Sequence, residues 1–234
     1  GCAARAGAGG RSAMKIRNEL LGDQLARVLR RQILSGERPG GDLLIEKALA
    51  EDFGTSRGPV RDALAQLDED GLIAASGRSY RVLEVTAHDI EEIYDLRYLL
   101  ERHAMGRAAR TGAELAAAHE AVRRMRAAAE ASDGIAFGRA DLAFHRAFQE
   151  AAGQRRILSM WRKFERSLST LLEVNPHPGD DLLRAVEVHA DLLRAVESGD
   201  PAWEEQLQTH LGEARDRFAL GYAAEPGLEP GSGS

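Results

Sequence analysis

Apolar residues recur at three- and four-residue intervals through most of this chain, and the exceptions fall in one short stretch. Leu20, Leu21, Leu25, Val28, Leu29 and Ile33 mark one face of a first helix. Ser35 and Gly36 stop it, and Pro39, Gly40 and Gly41 make a turn. A short helix is predicted over 46–53, ended by Gly54, and a second over 57–70, with Ser56 as its N-cap and Pro59 tolerated in its first turn. Two short apolar-bearing runs, 72–75 and 80–83, flank a glycine-containing turn and read as a hairpin. From Thr86 onward no strand signal remains. Thr86 and Asp89 resemble a capping box with Asp in place of the usual Glu or Gln. Helices are predicted over 87–110, 113–131, 134–152, 154–174, 180–198 and 201–221. Gly- and Pro-containing breaks separate them, among them Asn175-Pro176-His177-Pro178-Gly179. The fold class is therefore mainly α. Three helices and a hairpin over 15–85 precede an all-α antiparallel bundle of six helices over 86–222. Residues 1–14 and 223–234 read as flexible tails, and 81–86 as the junction.

Composition narrows the class. At 234 residues there is room for one large domain or two small ones, and 44% hydrophobic with 29% charged residues excludes a wholly disordered chain. No apolar run reaches the 18 or so residues of a membrane span. The single cysteine, Cys2, cannot form an internal disulfide, and no signal-peptide core is present, so a cytoplasmic protein is expected. The net charge of −6 argues weakly against a nucleic-acid partner, but the average hides a split. Residues 1–85 hold 13 Lys/Arg and 12 Asp/Glu (+1). The remainder holds 31 − 13 = 18 and 37 − 12 = 25 (−7).

The two short helices around Gly54-Thr55-Ser56 have the helix-turn-helix pattern. Val60, Leu64 and Leu67 point one way on the second helix. Arg57 and Arg61, four apart, line one side of its first two turns, where a recognition helix meets base edges in the major groove. An arginine fork suits guanine O6/N7, and Thr55, Ser56 and the helix-start amides suit phosphate. Arg78 at the hairpin tip can reach the duplex as a wing. Taken alone, the two arginines also fit a solvated surface.

Among seven histidines, three stand out. Asp141 and His145 are four apart on one helix face with Phe144 and Phe148 nearby. His189 and His210 sit midway along two later helices. Facing helices can thus offer one carboxylate and three imidazoles, a set that suits a divalent transition metal, zinc first, then nickel, iron or manganese, with positions left open. The same spacing also fits plain Asp–His hydrogen bonds. No HExxH motif supplies a general base for a metal-dependent hydrolase.

Residues 29–73, LRRQILSGERPGGDLLIEKALAEDFGTSRGPVRDALAQLDEDGLI, followed by GRSYRV, resemble the winged-helix domain of GntR-family bacterial transcription regulators. That family carries I-x-x-G-x-x-x-P-G, L-A-x-x-x-G-x-S-R-x-P-V-R-x-A-L, a G-L-I/V end and a wing of aromatic-x-V type. The resemblance implies base contacts from Arg57 and Arg61, a DNA contact from Lys47, and a wing tip at Gly77 and Arg78. Two positions depart from the pattern. Ile45 stands where Ser or Thr commonly caps the second helix, at a cost of about 0.5–2 kcal/mol. Lys47 replaces the commoner arginine with a point charge. Residues 90–220 resemble the FCD ligand-binding domain of the FadR subfamily. Its metal-binding members carry D-x-x-x-H and then one histidine in each of two later helices, matched by Asp141, His145, His189 and His210. The segment from Asp95 to Glu101 is similar to the family's L-R-x-x-L-E helix, which implies that Arg97 faces an effector pocket. The alternative for Arg97 is an i,i+4 ion pair with Glu101 on the helix surface. The resemblance implies a cytoplasmic, homodimeric regulator of operator DNA, of a kind whose relatives mostly repress, answering to a small organic acid, with no membrane partner; the sequence does not give the sign of regulation. An enzyme acting on a small carboxylate and a purely structural metal are the rival readings.

Overall fold

The computed structural model describes residues 12–176 and 181–222. Cys2, His177, the 177–179 part of the predicted turn, residues 1–11 and the C-terminal tail from 223 lie outside the described residues. The chain divides into two compact units, Gly1–Glu84 and Val85–Ser234.

In the first unit, α1 (Ser12–Leu34), α2 (Glu46–Asp52) and α3 (Arg57–Glu69) pack with a three-stranded antiparallel sheet. The first helix thus begins inside the stretch expected to be a tail, at Ser12. The sheet order is β1 (Leu43–Leu44), β3 (Ser79–Val82), β2 (Ile73–Ser76), with Leu43 opposite Arg81 and Ile73 opposite Val82. The hairpin is as expected, with Gly77 at φ +65° supplying the left-handed residue of its turn. β1 is an addition: two residues suffice because β3 already presents its free edge to them. Leu25, Leu29, Leu44, Leu49, Val60, Leu64, Leu67, Ile73 and Val82 form the core. The apolar spacing of α1 and α3 therefore has its cause in their mutual packing. Ile45 makes no side-chain cap on α2, as its side chain requires. Ser56 does hold the N-cap position of α3, with extended backbone, but its hydroxyl makes no cap hydrogen bond and stays exposed.

One polar pair crosses this core. Arg30 of α1 and Asp70, the C-cap of α3, form a buried ion pair, with Nε donating to Oδ2 at 2.9 Å. Breaking a buried pair leaves a charge uncompensated, which costs about 3–5 kcal/mol. Asp70→Ala is therefore expected to lower the unfolding free energy of the first unit by about that much in a urea titration. A loss under about 1 kcal/mol would show that the pair contributes little to α1–α3 packing.

The second unit contains α4 (Ala87–Thr111), α5 (Ala116–Glu130), α6 (Gly134–Ala151), α7 (Arg155–Val174), α8 (Leu182–Ser198) and α9 (Ala202–Leu220). α4 opens on a capping box. Asp89 N–H donates to Thr86 Oγ1 at 3.3 Å, and Thr86 N–H donates to Asp89 Oδ2 at 2.7 Å. Asp89 thus does the work of the longer Glu. Asp133 caps α6 through Ala136 N–H at 2.9 Å. α5 packs against α6 and α8. α4 packs on α9, α6 and α8 more than on α5, the helix that follows it. That arrangement decides the site, because α4, α6, α8 and α9 turn their polar buried residues toward one another. Around them lies an apolar core including Met105, Met125, Phe137, Phe144, Phe148, Trp161, Leu192 and Leu207.

Candidate functional site

Two surfaces collect the residues with chemistry. On the first unit, α3 presents Arg57 and Arg61 from its first two turns, both exposed. The Arg61 guanidinium is held by Glu46 at the start of α2, Nε to Oε2 2.8 Å. Lys47, beside Glu46, lies 3.7 Å from Glu51 and is largely exposed. Thr55 and Ser56 precede α3, and Gly77 and Arg78 form the exposed turn between β2 and β3. All seven residues are thus on the helix-turn-helix and wing, none of them in the core. Both surface ion pairs are solvated, so a phosphate or a base edge can compete for either cation.

On the second unit, Asp141 and His145 of α6, His189 of α8 and His210 of α9 converge, and one donor atom from each lies within 4.8 Å of the others. Asp141, His145 and His189 are buried and His210 is partly so. Phe144 stands edge-on to both His145 and His189, with centroids 5.2 and 5.0 Å away, and walls the cluster off from the core. The protons can be placed from the partners. His189 Nδ1–H donates to the Ala185 carbonyl at 2.7 Å, so in the neutral ring Nε2 carries the lone pair. That Nε2 lies 2.8 Å from Asp141 Oδ1, yet makes no hydrogen bond there or elsewhere. A buried lone pair facing a carboxylate oxygen is an acceptor against an acceptor, and a cation between them removes the conflict. His145 Nε2 points into the same space, 3.3 Å from His210 Nε2 and 3.7 Å from Asp141 Oδ1. The donor set fits a divalent transition metal by ligand type, number and orientation.

The electrostatics favour an anionic Asp141 and a neutral His210, and act in the other direction on His145. Burial pushes the Asp141 carboxyl up, but His145 and His189 outweigh it and hold the group well below the ordinary carboxylate range. Burial, then His189 and His145, drives His210 well below the usual imidazole range, so it stands neutral and able to ligate. Burial and Arg97 lower His145, while Glu101 and Asp141 raise it, and the net direction is up.

Arg97 of α4 is buried, and both sequence alternatives meet in it. It does pair with Glu101, Nε to Oε1 2.6 Å, but the pair is inside the bundle and not on the helix surface. Its Nη2 lies 3.8 Å from Asp141 Oδ2 and has no hydrogen-bond partner. Arg97, Tyr94, Asp141, His189 and His210 line a cleft of about 110 Å³ whose outer wall includes Arg184. An unsatisfied guanidinium N–H beside such a quartet is chemically suited to meet an anionic oxygen. Spacing offers Glu101 only as a surface partner of Arg97, whereas it lies fully inside the bundle. Its second oxygen, Oε2, accepts from His145 Nδ1–H at 2.5 Å.

A winged helix-turn-helix with exposed arginines at the start of its second short helix is the architecture of a DNA-binding regulator, and the helical unit adds a cleft lined by charged and imidazole side chains. Comparison with known proteins gives the family. Residues 21–82 match the family of bacterial regulatory proteins named gntR, and residues 92–213 match the FCD domain. The chain is 31% identical over 186 residues to the "Probable D-xylose utilization operon transcriptional repressor" of Paenarthrobacter nicotinovorans, covering 76% of this chain and 80% of that one. It is 26% identical over 204 residues to the gluconate operon transcriptional repressor of Bacillus subtilis, covering 84% of each. Its fold is similar to that of E. coli McbR/YncC, with a TM-score of 0.68 at 24% identity over 86% of this chain and 98% of that one. The protein belongs to the GntR family of transcription regulators and carries an FCD C-terminal domain. It is a DNA-binding regulator and not an enzyme, which removes the hydrolase reading of the quartet. Among the described residues, no helix is long and apolar enough to cross a membrane.

Proposed function

We propose that this protein is a cytoplasmic, homodimeric repressor whose operator affinity is set by a small organic acid bound at a metal in the helical unit. Asp141, His145, His189 and His210 hold the metal, zinc first, and Arg97 clamps the acid's carboxylate. When bound, the metal supplies a Lewis-acidic centre with positions open to carboxylate oxygens. The observation that carries this reading is the pair of unsatisfied buried groups facing one space: the lone pair of His189 Nε2 and the N–H of Arg97 Nη2. One wants a cation, the other an anion, and a metal-chelated acid satisfies both.

Arg57 and Arg61 read bases, while Lys47, Thr55, Ser56 and the Gly77–Arg78 wing tip hold the backbone. Two such heads in a dimer match a pseudo-palindromic operator. Exposed Leu96 and Leu99 on α4 offer an apolar face for pairing. The cleft's modest volume favours a short acid over an acyl chain. The names of two relatives, repressors of gluconate and D-xylose operons, put sugar-derived acids first among the candidates.

The test is a melting-temperature matrix. Purified protein is analysed for metal, stripped with a chelator, reloaded with zinc, and melted with and without gluconate and shorter hydroxy acids. Zinc is expected to raise the melting temperature, and an acid to raise it further only with zinc present. Zinc stabilisation with no response to any acid would leave a purely structural metal.

A further inference from the structure

We propose that Glu101 is a positioning residue that sets the tautomer of the ligand His145 and ties Arg97 to it through one shared carboxylate. The proposal rests on the metal reading above. Glu101 lies one turn beyond Arg97 on α4, and both face α6 from inside the bundle. Each of its oxygens is committed: Oε1 to Arg97 Nε at 2.6 Å and Oε2 to His145 Nδ1 at 2.5 Å. It is fully buried, so no water competes for either oxygen.

The chemistry follows from valence. A carboxylate can only accept, so it fixes the proton of His145 on Nδ1 and leaves the Nε2 lone pair aimed at Asp141 and His210. This is the carboxylate–histidine arrangement that orients a ligand and raises its basicity. The other oxygen fixes the Arg97 fork by its Nε, which leaves Nη2 turned toward Asp141 and the cleft. A full carboxylate charge between a guanidinium and an imidazole also offsets the burial of both. Hence the group that meets the acid and the group that meets the metal are held by the same side chain. A displacement of Arg97 on binding an anion is transmitted to His145 through the carboxylate they share.

Glu101→Gln is the informative change because it keeps shape and removes the symmetry. An amide has one acceptor and one donor end, so one of its two partners must face an N–H against an N–H. Zinc affinity, measured by competition with a chromophoric chelator, is expected to fall about 10–100-fold. The zinc-loaded wild-type protein is read by nitrogen NMR of its histidines. His145 is expected to show a protected, far-downfield Nδ1–H and no Nε2–H, and Arg97→Gln is expected to move that resonance while leaving the tautomer unchanged. A merely structural Glu101 would not produce that movement.

The outcomes separate. Unchanged zinc affinity in a folded Glu101→Gln variant overturns the positioning role and leaves the metal reading standing. If that variant does not fold, the wild-type spectrum decides: an Nε2–H tautomer in zinc-loaded protein overturns the proposal. A His145 resonance unmoved by Arg97→Gln overturns the link to Arg97. If the wild-type chain takes up no zinc, the metal reading fails and Glu101 has no ligand to position.

Discussion

His189→Ala is expected to abolish tight metal binding and, with it, every response of the protein to an acid. Three features make this the largest effect. Among the described residues, His189 is the only member of the donor cluster on α8, so no neighbour on that helix could replace it as a ligand. Its Nε2 makes the shortest approach to Asp141 in the quartet, 2.8 Å against 3.7 Å for His145. Its Nδ1–H is fixed on the Ala185 carbonyl, so in the neutral ring the lone pair would already face the cluster, which lowers the orienting cost of binding a metal. Loss of such a ligand should weaken zinc by roughly 100-fold or more, beyond what changes behind the ligands cost. A metal present at a hundredfold excess over its Kd stabilises the folded protein by about 2.7 kcal/mol. At about 2–4 °C per kcal/mol for a domain of this size, the wild-type melting temperature should rise by roughly 5–10 °C with zinc. The variant should show almost no rise. The substitution also removes a side chain packed on Phe144 and Phe137, so the metal-free variant will melt earlier in any case. The diagnostic quantity is therefore the difference between zinc-loaded and stripped protein, measured within each variant. A variant that keeps the wild-type increment would remove His189 from the ligand set.

The second large effect lies on the recognition helix. Arg61→Ala is expected to cost about 1–3 kcal/mol of discrimination at one base position, and Arg57→Ala a similar amount at another. Both guanidiniums are exposed at the start of α3, where the helix end meets base edges. Glu46 engages the Arg61 guanidinium through Nε alone, so a base edge would meet a side chain already held on one side. That pair is solvent-exposed and gives little stability, so its consequence is for direction and not for folding. Lys47→Ala provides the contrast. A phosphate contact carries no base information, so it should weaken all sequences alike and reduce the salt slope by about one unit. Selection from random DNA by the wild type and the three variants separates these outcomes. Unchanged sequence preference in both arginine variants would move base reading elsewhere on the unit.

Much of this was legible along the chain, and the parts that were not have physical causes. The helices of both units follow from apolar spacing, because each one buries a single face and the spacing is the record of that face. Asp141 and His145 were legible as a pair because one helix places them together. His189 and His210 joined them only through the resemblance and the expectation of facing helices. β1 was not legible: a two-residue strand has no periodicity, and its partner lies some forty positions away at Tyr80 and Arg81. Ser56 has the right residue type for a cap, yet its hydroxyl makes none, since a cap depends on a rotamer that composition does not specify. Glu101 is the instructive miss. An Arg–Glu pair four apart is the ordinary sign of a solvated helix face. What reversed its meaning was the packing of α4 on α6, which turned the pair inward and brought His145 to its second oxygen.

The proposed function makes operator binding depend on an acid through the metal quartet. The most direct measurement is operator affinity by fluorescence anisotropy, on a DNA site selected by the protein, titrated with the stabilising acid. It is run on zinc-loaded protein, on chelator-stripped protein and on His189→Ala. The acid should weaken operator binding about 5–150-fold in the zinc-loaded protein and leave the other two unchanged. By linkage, operator DNA should weaken the acid by the same factor. An acid that shifts operator affinity equally in all three preparations would contradict the account.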